Sequence, residues 1–187
     1  MDANNALVNE RISRRAFVFG CAAGLCLPWS ATRGASKMVY PDRTLAMHNV
    51  HTGEQENITF WSDGSYLKGG LDQVNWLLRD FRTGDIKAID PRLLNILYLL
   101  TRKIESNKPV SILSGFRSKK TNEMLRKTTE GVARRSFHMA GRAVDIRLPN
   151  ISSVNVQKAA LRIGGGGVGY YPSSNFVHLD TGPVRTW

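Results

Sequence analysis

The sequence has almost no cysteine. Only two of its 187 residues are cysteines, and both, Cys21 and Cys26, fall within the first 35 residues. Residues 36–187 therefore have no thiol that could form a disulfide, ligate a metal or act as a nucleophile. The stability of this part must come from a hydrophobic core and from any bound metal.

Long hydrophobic runs are also missing. The longest apolar stretch extends from Ala16 to Trp29, directly after the pair Arg14-Arg15, and it is shorter than the about 20 residues that a membrane-spanning helix needs. Basic residues followed by an apolar stretch and then by small residues are the layout of a secretory signal. The arginine pair is typical of the twin-arginine type. The alternative is a short buried helix at the edge of the domain.

We therefore divide the chain into a twin-arginine-type signal segment, residues 1–35, and one domain, residues 36–187. This division predicts a periplasmic protein that is exported by the twin-arginine machinery and has no transmembrane helix in its mature form. A segment that is not cleaved would instead tether the protein to the membrane. Residues 36–187 are enough for a single domain with its own hydrophobic core.

Acidic residues are few relative to basic ones. The chain has 26 Lys and Arg against 15 Asp and Glu, a formal net charge of +11. An exported protein with this charge is expected to meet an anionic envelope polymer or a membrane surface. The basic residues are scattered and form no nucleic-acid-binding motif, so we predict no nucleic-acid partner.

Helical and strand patterns follow one another in an order typical of α+β proteins. In the clearest helix, DPRLLNILYLLTRKIESN, Asp90 can cap the first turn, Pro91 suits it, and leucines form a buried stripe. We expect a mainly antiparallel sheet with helices packed on one side. The other predicted elements are a hairpin of residues 45–50 and 57–61 with Gly53 in its turn, helices in GLDQVNWLLRDFRT, SKKTNEMLRKT and SSVNVQKAALRIG, strands in PVSILSG and AVDIRL, and a last hairpin of GVGYY and NFVHLD.

Histidine is scarce, which makes the place of each one informative. The chain has four, and His138 stands seven residues before Asp145. A straight helix would separate the two by about 10.5 Å along its axis, and a straight strand by about 23 Å. They can share an ion only if the chain turns between them, as Gly141 allows.

A third candidate ligand, His178, lies in the later strand FVHLD. If this strand neighbours the one that holds Asp145, two imidazoles and one carboxylate converge. Such a set leaves one position of a tetrahedral zinc ion open, as in catalytic zinc sites. The alternative is a surface histidine, an ordinary loop carboxylate and a half-buried strand histidine, since this spacing also arises by chance.

Three stretches, SGFRS, SFHMAGRAVDI and GVGYYPSSNFVHLDTGPVRTW, resemble the D-Ala-D-Ala carboxypeptidase and hedgehog-type superfamily of zinc peptidases, and more closely its branch typified by murein endopeptidase K. The resemblance covers residues 36–187 and the leader. It implies a Zn²⁺ cofactor held on the sheet by His138, Asp145 and His178. It also implies that Arg117 binds the scissile carbonyl oxygen or a substrate carboxylate.

The sequence departs from the wider superfamily at the general base. Many members have a glutamate three residues before the last zinc histidine, or a histidine two residues before it, where this chain has Asn175 and Phe176. Neither side chain can accept the proton. Asp180 follows His178 by two residues and so faces the same side of a strand. Three roles are open for it: the base, a partner that orients a ligand, and an ordinary turn aspartate.

Two other pairs of residues are weaker candidates. His48 and His51 can approach the metal in such a fold, but turn or surface roles are expected for both. Tyr170 and Tyr171 are candidates for the wall of a peptide groove, with core packing expected for at least one of them.

The resemblance implies an exported zinc endopeptidase that hydrolyses the cross-links between peptidoglycan stem peptides, such as those joining two diaminopimelate residues. Its partners would be those stem peptides and the twin-arginine export machinery. One alternative is a carboxypeptidase that trims stem peptides, with Arg117 holding a terminal carboxylate. The other, suggested by the missing base, is a non-catalytic zinc-containing module that binds the cell wall.

Overall fold

The computed structural model describes residues 40–187, so the predicted signal segment, residues 1–35, lies outside the described part of the chain. Four α-helices, one 3₁₀ helix and eight strands form this part. They are β1 (Arg43–Asn49), β2 (Gln55–Ser62), β3 (Ser65–Tyr66), α1 (Lys68–Leu77), α2 (Pro91–Ile104), β4 (Val110–Ser114), α3 (Lys119–Thr128), the 3₁₀ helix (Phe137–Ala140), β5 (Ala143–Arg147), α4 (Ser153–Ile163), β6 (Gly167–Tyr171), β7 (Phe176–Asp180) and β8 (Arg185–Thr186).

The strands form one mixed sheet in the order β3-β2-β1-β4-β5-β7-β6-β8. Within residues 40–187, five neighbouring pairs are antiparallel and two, β1 with β4 and β6 with β8, are parallel. The α+β prediction is confirmed, and the sheet is mainly but not purely antiparallel. The β1–β4 pair can be parallel because α1 and α2 lie between these strands and supply the long crossover that a parallel pair needs.

Both predicted hairpins are present. In the first, Leu45 of β1 faces Ile58 of β2, and Gly53 in the turn has a φ of +75°, which favours glycine. The second joins β6 and β7 through residues 172–175. Short-range turn chemistry therefore fixes the two ends of the sheet.

Strands β5 and β7 divide their side chains between the two faces of the sheet. Val144 and Ile146 of β5 and Val177 of β7 belong to the buried hydrophobic core, together with residues of α1, α2 and α4. Successive side chains of a strand point to opposite faces. Asp145 and His178 therefore lie on the face directed away from that core.

Helix α2 forms as predicted. The Asp90 side chain accepts a hydrogen bond from the Arg92 backbone N–H, and Pro91 occupies the first turn. Three of the helices in residues 40–187, α1, α2 and α4, bury apolar side chains in the core, whereas α3 contributes none. Helix α3 instead places Leu125 in the wall of a cleft that is described below.

The helix predicted in GLDQVNWLLRDFRT is shorter than its apolar spacing indicates. Helix α1 ends at Leu77, and Asp80 lies in the turn that follows. The Asp80 carboxylate accepts the backbone N–H groups of Arg82 at 3.0 Å and Ser118 at 2.9 Å. These bonds offer the backbone an alternative to a further helical turn. The prediction that this helix continues to Thr83 is therefore wrong, and the Phe81 ring stacks on His51 instead.

Within residues 40–187, none of the helices is long and apolar enough to cross a bilayer.

Candidate metal centre

Strands β5 and β7 place a carboxylate beside an imidazole. Asp145 and His178 are register partners, and Asp145 Oδ1 lies 2.8 Å from His178 Nδ1. The 3₁₀ helix adds His138, whose Nε2 lies 3.2 Å from Asp145 Oδ1 and 3.2 Å from His178 Nδ1. Three atoms of the kinds that ligate metals thus meet at one buried point, as the sequence predicts.

Gly141 makes the turn that brings His138 back towards Asp145. Its φ of +67° lies in the left-handed region, and a Cβ there would collide with the carbonyl oxygen of Ala88. Its N–H donates to the His138 carbonyl at 3.2 Å, and its own carbonyl accepts the Asp90 N–H at 2.8 Å. The turn expected at this glycine is confirmed, and the neighbouring backbone leaves no room for a side chain at position 141.

A backbone carbonyl orients the His138 ring. His138 Nδ1 lies 2.7 Å from the Gly115 carbonyl oxygen, so Nδ1 carries the proton and donates it. The lone pair of a neutral ring is then on Nε2, which is the atom directed at Asp145 and His178. Such a bond fixes both the tautomer and the ring orientation of a metal-ligating histidine.

Asp180 orients the other ring from behind. His178 Nε2 donates to Asp180 Oδ2 at 3.1 Å, which leaves Nδ1 free to ligate. The Asp180 side chain is fully buried and pairs with Arg185 at 2.7 Å. It also accepts the backbone N–H of Gly182 at 2.7 Å and that of Gly167 at 3.3 Å. Its oxygens are fully engaged, and Asp180 is not among the residues that line the cleft.

Burial and neighbouring charges set the protonation of the centre. Burial lowers the pKa of His138, which keeps its ring neutral. Burial alone would raise the pKa of Asp145, but His138 and His178 hold it well below its usual range. Burial alone would lower the pKa of His178, but hydrogen bonds with Asp145 and Asp180 raise it overall. The ionised carboxylate and the neutral His138 are the forms that ligate metals.

The donor set fits a divalent metal ion. Two imidazole nitrogens and one carboxylate oxygen point at one another over 2.8–3.2 Å. A cation at this point would satisfy all three atoms. Nitrogen and oxygen ligands without thiolate suit Zn²⁺.

Arg117 lies against the centre. Its Nη2 donates to Asp145 Oδ2 at 2.5 Å, and its Nε donates to Ser114 Oγ at 2.8 Å. Its Nη1 has no acceptor among residues 40–187. The guanidinium is therefore held by two bonds and keeps one nitrogen for another acceptor.

The centre opens into a cleft of about 830 Å³. We call it the substrate cleft, and its lining residues include His138, Asp145, His178, Arg117 and the segments 129–133 and 135–137. Its other lining residues come from the turns after β1 and α1, from the end of β4, from α3, and from the C-terminal hairpin and strand. A volume of this size is enough for several residues of an extended peptide.

The other sequence candidates divide between the substrate cleft and the core. His51 and Tyr171 line the cleft. His51 Nε2 donates to the Leu113 carbonyl at 2.9 Å, and Tyr171 stacks on Phe176 with ring centroids 4.4 Å apart. Tyr170 packs against the core, as expected for one of the two tyrosines. His48 is not among the cleft residues.

Asn175 stands in the sequence where many members of the superfamily have the glutamate base, but in the structure it lies in a turn. It has a φ of +49° in the turn between β6 and β7, and its carbonyl accepts a hydrogen bond from Arg147 at 2.7 Å. Its role is therefore that of a turn residue. Phe176 lines the cleft as an apolar wall.

Sequence reasoning missed several residues that support the centre. The Gly115 carbonyl has no side-chain signal, and the Ser114 hydroxyl is recognisable only once its bond with Arg117 is seen. Arg185 is far from any motif but neutralises Asp180. Trp187 packs its ring 5.3 Å from that of His178. Nothing in the spacing of the stretch TGPVRTW predicts these contacts.

Comparison with known proteins gives a consistent result. A family model described as peptidoglycan L,D-endopeptidase MepK matches residues 37–187. Peptidoglycan L,D-endopeptidase MepK of Escherichia coli strain K12 is 46% identical over 145 residues, which are 78% of this chain and 80% of that protein. Probable peptidoglycan L,D-endopeptidase MepK of Haemophilus influenzae is 38% identical over 146 residues, which are 78% of each protein.

Proposed function

The chain belongs to the family described as peptidoglycan L,D-endopeptidase MepK, within the D-Ala-D-Ala carboxypeptidase and hedgehog-type metallopeptidases, and on this premise we propose that it hydrolyses the peptide cross-links of peptidoglycan. We propose Zn²⁺ as its metal and links between two diaminopimelate residues as its substrate. The observation that carries the proposal is the His138, Asp145 and His178 group in the wall of a peptide-sized cleft.

His138 Nε2, Asp145 Oδ1 and His178 Nδ1 would hold the ion. When bound, zinc supplies Lewis acidity, which polarises a carbonyl group and lowers the pKa of water so that nucleophilic hydroxide is available near neutral pH. The Gly115 carbonyl and Asp180 keep the two rings in place. Rings that are already oriented lose little entropy when the ion binds.

Arg117 is suited to the developing negative charge. Ser114 and Asp145 fix its guanidinium at the edge of the centre, and Nη1 remains available. A fixed cationic donor that meets the oxygen of the scissile carbonyl stabilises the transition state without reorganising. We therefore assign Arg117 to this oxygen.

The attacking water also needs a proton acceptor. Asp180 is fully engaged behind His178, so an orienting role is proposed for it. Apart from the three residues of the centre, two residues of the cleft wall have an imidazole or carboxylate acceptor atom without a partner among residues 40–187: His51, at Nδ1, and Glu130. His51 is the better candidate because the Leu113 carbonyl fixes its other nitrogen, and Leu113 immediately precedes Ser114, the register partner of Asp145.

Export follows from the predicted leader. We propose that residues 1–35 direct the protein to the periplasm by the twin-arginine route, where cross-linked peptidoglycan is accessible. Replacing Arg14 and Arg15 with lysine should stop the appearance of the protein in the periplasmic fraction of growing cells. Unchanged export of this variant would contradict the twin-arginine assignment.

The decisive experiment is digestion of purified cross-linked muropeptide dimers by residues 36–187, with zinc or with chelator, read by mass spectrometry. Zinc-dependent conversion of dimers into monomers is expected, and the product masses identify the bond. The variant His138→Ala should neither bind zinc nor cut, while His48→Ala, outside the cleft, should do both. Loss of terminal residues from monomers alone would indicate the carboxypeptidase, and bound zinc without any product would indicate the wall-binding module.

A further inference from the structure

The substrate cleft carries more positive charge than its own acids neutralise. Four arginines line it, and two of them are paired: Arg117 with Asp145, and Arg185 with Asp180. The other two, Arg82 and Arg135, have no hydrogen-bond acceptor or ion-pair partner among residues 40–187. Among residues 40–187, the only acidic side chains in the lining are those of Asp145 and Glu130. Unpaired guanidinium groups in a cleft favour an anionic ligand.

The two unpaired arginines differ in how firmly they are held. The Arg82 guanidinium carbon lies 4.2 Å from the centroid of the Phe81 ring. That ring is stacked on His51, with centroids 3.9 Å apart and planes 12° from parallel. The Arg82 backbone N–H is fixed by Asp80. Arg135 has no such contact.

The surroundings of Arg82 also relate it to the centre. Burial lowers its pKa, the negative charge of Asp80 opposes this shift, and the positive charge of Arg117 lowers the pKa further. The guanidinium groups of Arg82 and Arg117 both line the cleft and therefore repel each other, and Arg117 is the one that is bonded to Asp145. A ligand that touches the centre and carries an anion on the same side would relieve this repulsion.

We propose that Arg82 binds a free carboxylate of the substrate beside the bond that is cut. This inference rests on the proposed function. In a link between two diaminopimelate residues, the residue that supplies the amine carries a free carboxylate on the carbon next to the amide nitrogen. A guanidinium held against an aromatic ring can take this carboxylate through two parallel hydrogen bonds. Arg82 would then bind the carboxylate, and Arg117 would bind the oxygen of the scissile carbonyl.

The test compares substrates that differ in one group. Two cross-linked dimers are prepared, one with the free carboxylate next to the scissile amide and one with a primary carboxamide in its place. The wild-type protein, Arg82→Ala, Arg82→Lys and the control Arg134→Ala are compared on both. Arg134 is a suitable control because it is an exposed arginine near the cleft that does not line it. Melting temperature and zinc content confirm that each variant is folded and loaded.

On the carboxylate substrate, Arg82→Ala should lower kcat/KM by about tenfold or more, the usual cost of losing a charge-assisted hydrogen bond. Most of the loss is expected in KM. On the carboxamide substrate the same variant should match the wild type, and Arg82→Lys should fall between them. Arg134→Ala should leave both rates unchanged. In chelator, binding of the uncut carboxylate dimer, measured by calorimetry, should weaken in Arg82→Ala alone.

Two results would overturn the inference: equal losses on both substrates, which assign Arg82 a structural role, and no loss on either. Both leave the proposed function standing, because the wild type still cuts dimers. If the wild type cuts neither dimer, the proposed function fails. The calorimetric comparison then tests carboxylate binding by Arg82 separately. Equal affinity of the wild type and Arg82→Ala for the carboxylate dimer would reject the inference.

Discussion

Asp180 stands directly behind His178, with its Oδ2 3.1 Å from His178 Nε2, and its carboxylate is shared with Arg185. A carboxylate in this position holds the histidine in the tautomer that ligates through Nδ1. Removing such a partner typically costs a metal site about 10–100-fold in affinity or activity. Asp180→Asn should therefore weaken zinc binding by about this factor, measured by competition with a chromogenic chelator.

The control for Asp180→Asn is Asp85→Asn, an exposed aspartate in the turn after α1. It should leave zinc affinity unchanged. If Asp180→Asn binds zinc as tightly as the wild type but hydrolyses nothing, the carboxylate acts in the reaction itself, and its orienting role is refuted.

The proton acceptor can be tested with a pair of variants from the cleft wall. General-base catalysis contributes about 10²–10⁴-fold, so His51→Ala should lower kcat by at least about 10²-fold with zinc still bound. Glu130→Gln should retain nearly all activity, because no contact holds Glu130 near the centre. Steady-state rates on a cross-linked dimer decide between them, and a large effect of Glu130→Gln alone would reverse the assignment.

Asp90 gives the fold an acid-sensitive contact. Burial alone would raise the pKa of Asp90. Hydrogen bonds from Arg92 and Thr181 outweigh this effect and lower the pKa to about 2. A carboxylate with a depressed pKa stabilises the fold above its ordinary pKa near 4, and this contribution disappears as pH falls towards 2. The difference in unfolding free energy between the wild type and Asp90→Asn should therefore shrink from pH 5 to pH 2.

Urea unfolding of both proteins across this pH range measures the Asp90 difference. Asp42→Asn, at an exposed position directly before β1, serves as a surface comparison. A gap between wild type and Asp90→Asn that stays constant down to pH 2 would show that the Asp90 charge does not stabilise the fold.

Gly141 and Gly131 separate backbone strain from steric collision. Both have positive φ, +67° and +78°, but a Cβ at Gly131 meets no atom within 4 Å, whereas one at Gly141 meets the Ala88 carbonyl. Gly131→Ala should cost about 1 kcal/mol of stability from conformation alone. Gly141→Ala should cost clearly more and also reduce zinc binding. Equal melting temperatures of the two variants would contradict this account.

Local pattern was enough to predict much of the fold. Asp90, Pro91 and the leucine stripe predict α2, and Gly53 predicts the first hairpin. The approach of His138 to Asp145 was predictable because the chain must turn between them and Gly141 can supply that turn. The end of α1 was not, because the Asp80 carboxylate reaches Ser118, which is far away in the chain. Strand order and the parallel β1–β4 pair also depend on contacts between distant segments.

The supporting contacts of the site were the least predictable part. His138 depends on the carbonyl of Gly115, and every residue has a carbonyl. The sequence position of Asp180, two residues after His178, makes it a candidate. Its orienting role depends on Arg185, and Arg185 approaches it only because β8 pairs with β6. Side-chain identity indicates the candidate ligands, whereas tertiary structure determines which residues orient them.

The alternation of β5 and β7 has a consequence for quality control in the cell. The residues that form the core and those that would hold the metal are neighbours along the same two strands. A slip of one residue in their pairing would expose Val144 and Ile146 and at the same time bury Asp145 among the helices. A misregistered chain would thus lose its core as well as its ligands, so proteases would remove it before an inactive, metal-free form could accumulate.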